Sequence, residues 1–370
     1  MTNLKVFTAF SGYDSQCMAL DRLHRNNPDF NYELVGWAEI DKYAIAAHNA
    51  VYPQWAERNY GDISKIDWQQ VPDFDLFTYS SPCQDFSQAG KQAGGTEGSG
   101  TRSSLLWECR RAILAKKPKY LLMENVAALV SQKFIRLFNA WQLELESYGY
   151  RNFAKVLNAK DYGVPQNRER IFMVSVLDEQ ARYEFPEPMP LPLRLKDVLE
   201  PKVDERYYIK KELLPIIQKR VKTRHTFING LTEGIAATIT TKTNCTSQTN
   251  LVLVDANSGI MVAGKIHKGV SGLVYDEYGI SPTITASEGV EYNTKVLVKR
   301  GKSYRLRIYT ERECFRLMDV PEEYIDRIQA AGISRSQQYK MAGNSIVVSC
   351  MYHIWRKLWI DTQIKTLTLF

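Results

Sequence analysis

The chain has 370 residues, of which 44% are hydrophobic and 24% charged, and its formal net charge is +7. These proportions are typical of a water-soluble globular protein with one large or two medium domains, and no apolar run approaches the length of a membrane span. The N-terminus enters a strand-like run and lacks the build of a signal peptide. Six cysteines without a Cys-x-x-Cys pair argue against a zinc site or a disulfide framework and indicate a reducing cytoplasm.

The positive charge is concentrated in one block. Residues 201–300 carry 14 Lys and Arg against 9 Asp and Glu, whereas the other 270 residues carry 34 against 32. A solvated surface could explain this excess, but a basic bias is also the electrostatic footprint of a nucleic-acid-binding face.

Residues 1–177 repeat an alternation of a short β-rich apolar run, a loop and a helix-like stretch. Strands that alternate with helices predict a parallel sheet covered by helices on both faces. The predicted strands are Lys5–Phe10, Glu33–Ala38, Phe74–Tyr79, Lys119–Met123, Phe153–Leu157 and Arg170–Val176, and the helical patterns include Leu105–Lys116 and Lys133–Ser147.

Polar residues follow several of these strands. Gly12 comes after the first predicted strand, Glu39 after the second, Cys83 after the third and Glu124 after the fourth. Ligands of such sheets bind outside the carboxyl ends of the strands, so one crevice is expected to collect these residues.

Cys83 and Glu124 form the pair of greatest chemical interest. A lone buried cysteine is most often a small hydrophobic residue, and Glu124 could cap a helix or pair with Lys119. A strand that ends in Pro82-Cys83-Gln84, however, indicates a thiol that leaves the core. Together a thiol and a carboxylate suit the addition of a nucleophile to a ring while the ring nitrogen is protonated. Five glycines between residues 90 and 100 predict a mobile lid after the thiol.

Two further pairs are informative. Glu39, 27 residues past Gly12, is either a surface charge or a carboxylate that accepts hydrogen bonds from a ribose. Arg168 and Arg170 are i and i+2 in an extended segment and would point to the same side, toward the edge that carries Cys83 and Glu124. Surface salt bridges are the usual alternative for such arginines.

The second half of the chain differs from the first in composition and sequence pattern. The Pro-rich stretch 186–192 predicts a stiff linker. A 45-residue echo, Gly234-Ile-Ala-Ala-Thr-Ile-Thr and Gly279-Ile-Ser-Pro-Thr-Ile-Thr, predicts a small β-rich domain of two similar units. Helical character returns after about residue 305, with a helix start at Thr310 and a long apolar helix over Ser345–Trp359.

Four short motifs follow one another along the chain: Pro82-Cys83-Gln84, Glu124-Asn125-Val126, Gln166-x-Arg168-x-Arg170 and Gly343-Asn344-Ser345. In this order and approximate spacing the chain resembles the DNA (cytosine-5) methyltransferases of bacteria and phages. Any one of these motifs alone would often occur by chance, but the resemblance covers residues 4–177 and 305–360.

The resemblance implies an α/β fold. A Rossmann-like methyltransferase sheet with helices on both faces would be formed by residues 1–184 and completed by 305–370. A smaller β-rich target-recognition domain would occupy 185–304, braced by the Arg307-x-x-Thr-x-Arg-Glu313 segment. The last helix would pack back beside the first strand.

The resemblance also implies the roles of individual residues. Cys83 matches the nucleophile, Glu124 the acid that binds the base, and Arg168 and Arg170 the motif beside the flipped base. The implied contacts to the cofactor, S-adenosyl-L-methionine, are Phe10, Gly12, Glu39, Ile40, Asp62, Ile63, Pro82, Asn344 and Ser345.

The chain departs from the family pattern in three places. Asp14 and Ser15 replace the last two glycines of the usual Phe-x-Gly-x-Gly-Gly loop, which leaves Gly12 as its only residue with a glycine's backbone freedom. Ile40 stands where an aromatic often stacks on adenine, and Glu311 where proline is common.

The implied reaction is methyl transfer to carbon-5 of a cytosine that is flipped out of double-stranded DNA. The same fold acting on transfer RNA is one alternative, and a catalytically silent homologue that binds DNA or cofactor is another; the basic block favours DNA. A cognate restriction endonuclease is an expected partner, with no membrane association. The enzyme is expected to be a cytoplasmic monomer.

Overall fold

The structure is a computed structural model that describes residues 2–81, 105–208, 262–265, 273–276, 279–283, 295–300 and 303–361. Its main sheet has the strand order β2-β1-β3-β4-β7-β5. The strands are β1 (Thr2–Ala9), β2 (Phe30–Ala38), β3 (Leu76–Tyr79), β4 (Tyr120–Val126), β5 (Arg151–Asn158), β6 (Gln166–Asn167), β7 (Glu169–Val176), β8 (Val262–Lys265), β9 (Leu273–Asp276), β10 (Ser281–Pro282), β11 (Lys295–Arg300) and β12 (Ser303–Ile308).

Helices separate most of the strands of the main sheet, as the alternation predicts. They are α1 (Ser15–Asn26), α2 (Lys42–Val51), α3 (Glu108–Lys116), α4 (Ile135–Ser147), α5 (Leu195–Val198), α6 (Glu311–Arg316), α7 (Glu322–Ala330), α8 (Arg335–Asn344) and α9 (Val348–Arg356). None of the helices described is long and apolar enough to cross a membrane.

The sheet is mixed, which corrects the prediction of a purely parallel one. β7 runs antiparallel to both of its neighbours, β4 and β5. Parallel neighbours need a crossover of a dozen or more residues, and the short connection over residues 159–168 is too brief to supply one. Because β7 is reversed, its first residues lie at the edge where β3 and β4 end.

The main sheet is buried on both faces. One core cluster joins Leu4 and Val6 of β1 to α1, α2 and α9, and a second joins Phe7 and Ala9 to α3 and α4. Successive side chains of a strand point to opposite faces, so a single apolar strand supplies both cores. The helices on both faces confirm the α/β fold.

The C-terminal elements return to this sheet. Thr310 begins α6 with a capping box, in which its hydroxyl and the Glu313 carboxylate each accept from the other's backbone amide. The apolar helix expected over Ser345–Trp359 starts only at Val348, because Ser345 is extended, and it ends in a π turn over Lys357–Asp361. α9 packs against α1 and shares a core with β1.

The described parts of the expected recognition block begin with the short helix α5 and a 3₁₀ turn over Glu205–Tyr207 and continue as strands. β8, β9, β11 and β12 form a four-stranded sheet. β10 pairs in parallel with β6, directly before Arg168. The first copy of the internal echo lies outside the described residues, as does the glycine-rich stretch 90–100. The boundaries at 185 and 304 therefore remain predictions.

Candidate active site

A pocket of about 350 Å³ lies at the carboxyl edge of the main sheet. The loops after β1, β2, β3 and β4 meet there with the start of β7 and the α8–α9 connection, as the strand-end argument predicts. Of the residues expected to bind cofactor or base, its lining includes Phe10, Gly12, Glu39, Ile40, Asp62, Ile63, Glu124, Arg168, Arg170, Asn344 and Ser345.

The loop after β1 has an unusual backbone. Phe10, Gly12 and Asp14 have φ values of 56°, 59° and 65°. The left-handed region disfavours side chains with a Cβ, and such outliers cluster at ligand sites. Gly12 is the only glycine of this loop, and yet Phe10 and Asp14 adopt the left-handed conformation as well.

The surroundings of Asp14 explain how an aspartate occupies this position. Its buried carboxylate accepts from the Thr8 hydroxyl at 3.0 Å and from the Cys17 amide at 3.1 Å, which caps α1. His48 Nε2 lies 3.4 Å from the same carboxylate, with both side chains fully buried. Asp tolerates the left-handed region better than most residues, and these contacts hold it there.

We expect Asp14→Ala to destabilise the chain by about 1–2 kcal/mol more than Asp14→Gly. Both variants lose the helix cap, but alanine also carries the cost of a left-handed backbone, which glycine avoids. Urea unfolding of both variants measures the difference. Equal free energies of unfolding would mean that the left-handed conformation is not maintained.

Glu39 is fixed at the pocket wall by three backbone amides. Its carboxylate accepts from Gly12 at 2.9 Å, from Ile40 at 2.8 Å and from Asp41 at 2.9 Å. An ionised carboxylate has about four acceptor sites, so this network leaves room for one more donor such as a hydroxyl. Glu39 thus connects the β1 and β2 loops and keeps a polar edge toward the pocket.

The neighbouring wall combines apolar and acidic groups. Ile40 is 71% exposed although it is a large hydrophobic residue, and Ile63 is buried behind the same surface. The hydroxyl and the amide of Ser64 hold the pKa of Asp62 below its usual range. An apolar surface beside an ionised carboxylate suits a flat base that carries an amino group.

Two residues at this pocket escaped the sequence analysis. Tyr13 donates a hydrogen bond from its hydroxyl to Ser345 Oγ at 2.5 Å, and Lys340 Nζ lies 2.9 Å from Asp41 Oδ2. Lys340 is four residues before Asn344 on α8, so the helical period places both on one face. Tyr13, between Gly12 and Asp14, is distinguished in the sequence only by its position.

Glu124 and Arg170 form an ion pair on the opposite wall of the pocket. Arg170 Nε is 3.1 Å from Glu124 Oε1, and both side chains are largely buried. Burial raises the pKa of Glu124 above its usual value, while the charges of Arg170 and Arg168 partly oppose the rise. Glu124 lies within β4, two residues before its end, and can act as a proton donor nearer neutral pH.

Arg168 makes contacts that differ from those of Arg170. Its Nη2 donates to the carbonyl of Gly343 at 2.9 Å and to that of Ser345 at 2.8 Å. The side chain is 2% exposed. Residue 168 lies in the break between β6 and β7, so the i, i+2 rule of a continuous strand does not apply there. Both arginines border the pocket, but Arg168 anchors the α8–α9 connection.

Cys83 and Pro82 lie outside the described residues, and the end of the preceding strand indicates where the chain enters that segment. Ser81, two residues before Cys83, receives a hydrogen bond on its carbonyl from Asn125 Nδ2 at 3.2 Å. Ser80 and Ser81 both line the pocket. Asn125, which follows Glu124, thus holds the segment after β3 beside the end of β4.

Comparison with known proteins assigns this arrangement to a family. The profile described as "C-5 cytosine-specific DNA methylase" matches residues 4–359. The chain belongs to this family. It is similar to the type II methyltransferase M2.ScrFI of Lactococcus lactis subsp. cremoris, with 32% identity across 96% of this chain and 99% of that protein.

Other relatives span the chain equally well. The orphan methyltransferase M.SPRI of Bacillus phage SPR is 28% identical across 99% of each chain. Among solved structures, the methyltransferase EhMeth of Entamoeba histolytica has a TM-score of 0.67 and 17% identity, covering 98% of this chain and 99% of that one. At this identity the structural likeness shows the methyltransferase fold alone. The chain is thus a DNA (cytosine-5) methyltransferase by family.

Proposed function

We propose that the chain transfers a methyl group from S-adenosylmethionine to carbon-5 of a flipped-out cytosine in a specific double-stranded DNA sequence, through a covalent adduct with Cys83. One observation carries the proposal. A single pocket joins the Gly12–Glu39 wall, suited to a nucleoside, to the Glu124–Arg170 pair, suited to a pyrimidine ring.

The residues present fit an adenosylmethionine. Glu39 would hold the ribose, Ile40 and Ile63 would cover the adenine, and Asp62 would accept from its amine. Asn344, exposed at the pocket wall, and the amide-rich start of α1 would hold the amino-acid end. When bound, this cofactor supplies a methyl group on a positively charged sulfur.

The chain's own residues would make carbon-5 of cytosine reactive. The Cys83 thiolate adds to carbon-6, and Glu124 gives its proton to ring nitrogen 3, which removes the charge that sulfur pushes into the ring. Carbon-5 of this neutral enamine is then nucleophilic. Arg170 keeps Glu124 directed at the base. After carbon-5 has been methylated, water removes its proton, the thiolate is eliminated and ring nitrogen 3 returns its proton to the Glu124 carboxylate, which restores the aromatic ring and the acid.

We expect methylation to slow as the pH rises through the raised pKa of Glu124, because the deprotonated carboxylate cannot donate. Arg170→Met removes the largest opposing charge, so the alkaline limb should move to higher pH, while Arg170→Lys should keep it near the native position. Single-turnover methyl transfer across a pH series measures the limb. An unchanged limb in Arg170→Met would contradict this assignment.

Expression of the chain in a host free of DNA methylation, followed by bisulfite sequencing, tests the proposal directly. Protected cytosines in one recurring sequence are the expected result, and Cys83→Ala should abolish them. Labelled methyl transfer to DNA and to transfer RNA side by side separates the proposal from the RNA alternative. Transfer to RNA alone, or cofactor binding without turnover, would overturn it.

The setting of this activity follows from the same proposal. M2.ScrFI is named a type II methyltransferase and M.SPRI an orphan methyltransferase, so relatives occur under both descriptions. We propose that the chain acts on DNA in a bacterial cytoplasm and protects its target site from a cognate restriction endonuclease. Protection of host DNA against digestion by restriction enzymes would identify that site.

A further inference from the structure

Hydrogen bonds connect the two walls of the pocket through residues far apart in the chain. The Tyr13 hydroxyl donates to Ser345 Oγ at 2.5 Å, and Ser345 Oγ donates to the carbonyl of Ala342 at 3.0 Å. On the other side, Arg168 Nη2 donates to the carbonyls of Gly343 and Ser345. The α8–α9 connection is therefore held from both sides, by the β1 loop and by the start of β7.

The Tyr13 and Arg168 side chains at the two ends of these contacts are shielded from water. Tyr13 is 1% exposed and its ring packs edge-on against Phe315, with centroids 5.6 Å apart. Burial raises the pKa of the Tyr13 hydroxyl, so it stays protonated and acts as the donor. Hydrogen bonds in a low-dielectric interior are electrostatically stronger than in water, and an unsatisfied partner there is costly. The hydrogen bonds that join Tyr13, Ser345 and Arg168 form a linkage, which therefore fixes the relative positions of these residues.

The far end of the linkage reaches the candidate acid. Arg170 is two residues after Arg168 and pairs with Val126 in the β4–β7 register, while its guanidinium contacts Glu124. Two residues of extended backbone cannot absorb much displacement. A shift of the α8–α9 connection would therefore move Arg168 and, through it, the arginine that directs Glu124.

The near end of the linkage lies at the expected cofactor contacts. Tyr13 follows Gly12, and Ser345 follows Asn344, both of which border the pocket. A ligand that contacts Gly12 and Asn344 would fix the two segments between which the Tyr13–Ser345 bond runs. Lys340 of α8 and Asp41, which follows β2, add an ion pair beside this bond, but it is partly exposed and is screened by solvent.

We propose that Tyr13, Ser345 and Arg168 are positioning residues that couple occupancy of the cofactor pocket to the placement of Arg170 and Glu124. This inference rests on the proposed function. It predicts that a cofactor-site ligand accelerates the attack of Cys83 on cytosine even when no methyl group is available. If the three residues only stabilise the fold, their removal would lower stability without changing this response.

Release of tritium from DNA that carries [5-³H]cytosine measures the attack without methyl transfer. Addition of the Cys83 thiolate at carbon-6 lets carbon-5 take a proton from water; loss of the tritium from carbon-5 to water and departure of the thiolate then restore the ring. The rate is measured without ligand and with saturating S-adenosylhomocysteine, which fills the pocket but carries no methyl group to donate. The rate with ligand divided by the rate without ligand measures the coupling.

We expect the native chain to show a ratio above one and Tyr13→Phe to lower it by roughly two- to tenfold, the range in which one hydrogen bond changes an equilibrium. Phenylalanine keeps the packing against Phe315 and removes only the hydroxyl. Arg168→Lys should lower the ratio as well, and the double variant should show no further fall, because both changes break one linkage. Saturating ligand keeps differences in affinity out of the ratio.

Tyr150→Phe is the matched control. The Tyr150 hydroxyl is also buried and donates to a single carbonyl, that of Pro118, at the opposite end of the sheet. Its removal should leave the ratio at the native value. If Tyr13→Phe does not fold, as judged by thermal unfolding, Arg168→Lys provides the same test.

Three outcomes are distinct. A native ratio in folded Tyr13→Phe and Arg168→Lys overturns the linkage alone. Native tritium release that does not respond to S-adenosylhomocysteine overturns it too. A native chain that neither releases tritium nor methylates any DNA overturns the proposed function and, with it, this inference.

Discussion

Glu124→Gln is expected to slow methyl transfer by roughly 10²- to 10⁴-fold, the usual loss when a positioned general acid is removed. The amide keeps the size of the side chain and can still donate a hydrogen bond, but it cannot give up a proton. Arg170 would then face a neutral partner at the position of the present 3.1 Å ion pair. Single-turnover transfer with saturating DNA and cofactor measures the change.

Glu144→Gln provides the control for loss of an arginine-paired carboxylate. Glu144 contacts Arg110 at 3.2 Å between α4 and α3, and its replacement should leave the rate within about twofold of native, because neither residue borders the pocket. DNA and cofactor affinities of Glu124→Gln should stay close to native. A rate for Glu124→Gln similar to that of Glu144→Gln would contradict the role of Glu124 as the acid.

Arg307→Met is expected to lower the free energy of unfolding by about 3–5 kcal/mol, because it leaves a buried carboxylate without its counter-charge. Arg307 and Glu313 are both fully buried and meet through two hydrogen bonds of 2.7 and 2.6 Å. Glu313 also accepts from the amides of Thr310 and Glu200, so it joins α6 to the first part of the proposed recognition block. Chemical denaturation measures the loss.

Two further variants separate the charge from the packing. Arg307→Met combined with Glu313→Gln should be more stable than Arg307→Met alone, because no unpaired charge is then buried, although the one amide oxygen can accept from only one of the two backbone amides. Arg312→Met removes an arginine whose partners Glu322 and Asp326 are mostly exposed and should cost less than about 1 kcal/mol. Equal losses for Arg307→Met and Arg312→Met would mean that burial does not determine the cost.

Much of the pocket could be predicted from the sequence alone. Gly12, Glu39 and Glu124 follow or end apolar runs, and the carboxyl ends of parallel strands meet at one edge. The direction of β7 could not be predicted in the same way, because an apolar strand has the same pattern whichever way it runs. Only the short connection over residues 159–168 indicated that β7 runs antiparallel to β5.

Side-chain contacts between segments that are far apart in the chain could not be predicted from the sequence. Asp14 looked like an obstacle to a glycine-rich turn, but its partners Thr8 and His48 come from β1 and α2, which are brought together only by the fold. Arg168 and Arg170 looked equivalent, and the break between β6 and β7 gives them different partners. In each case the residue type was informative, while its role depended on tertiary neighbours.

The β6–β10 pair restricts how the proposed recognition block can be exchanged between relatives. Ser281 N donates to the carbonyl of Pro165 at 2.7 Å, and Thr283 Oγ1 donates to that of Asn167 at 2.8 Å, immediately before Arg168. A chimera that replaced all of 185–304 would remove these bonds from the backbone that presents both arginines. If the block reads DNA as proposed, grafts that retain 279–283 are expected to transplant sequence preference and keep the bonds beside Arg168, which puts the useful crossover points inside the block rather than at its ends.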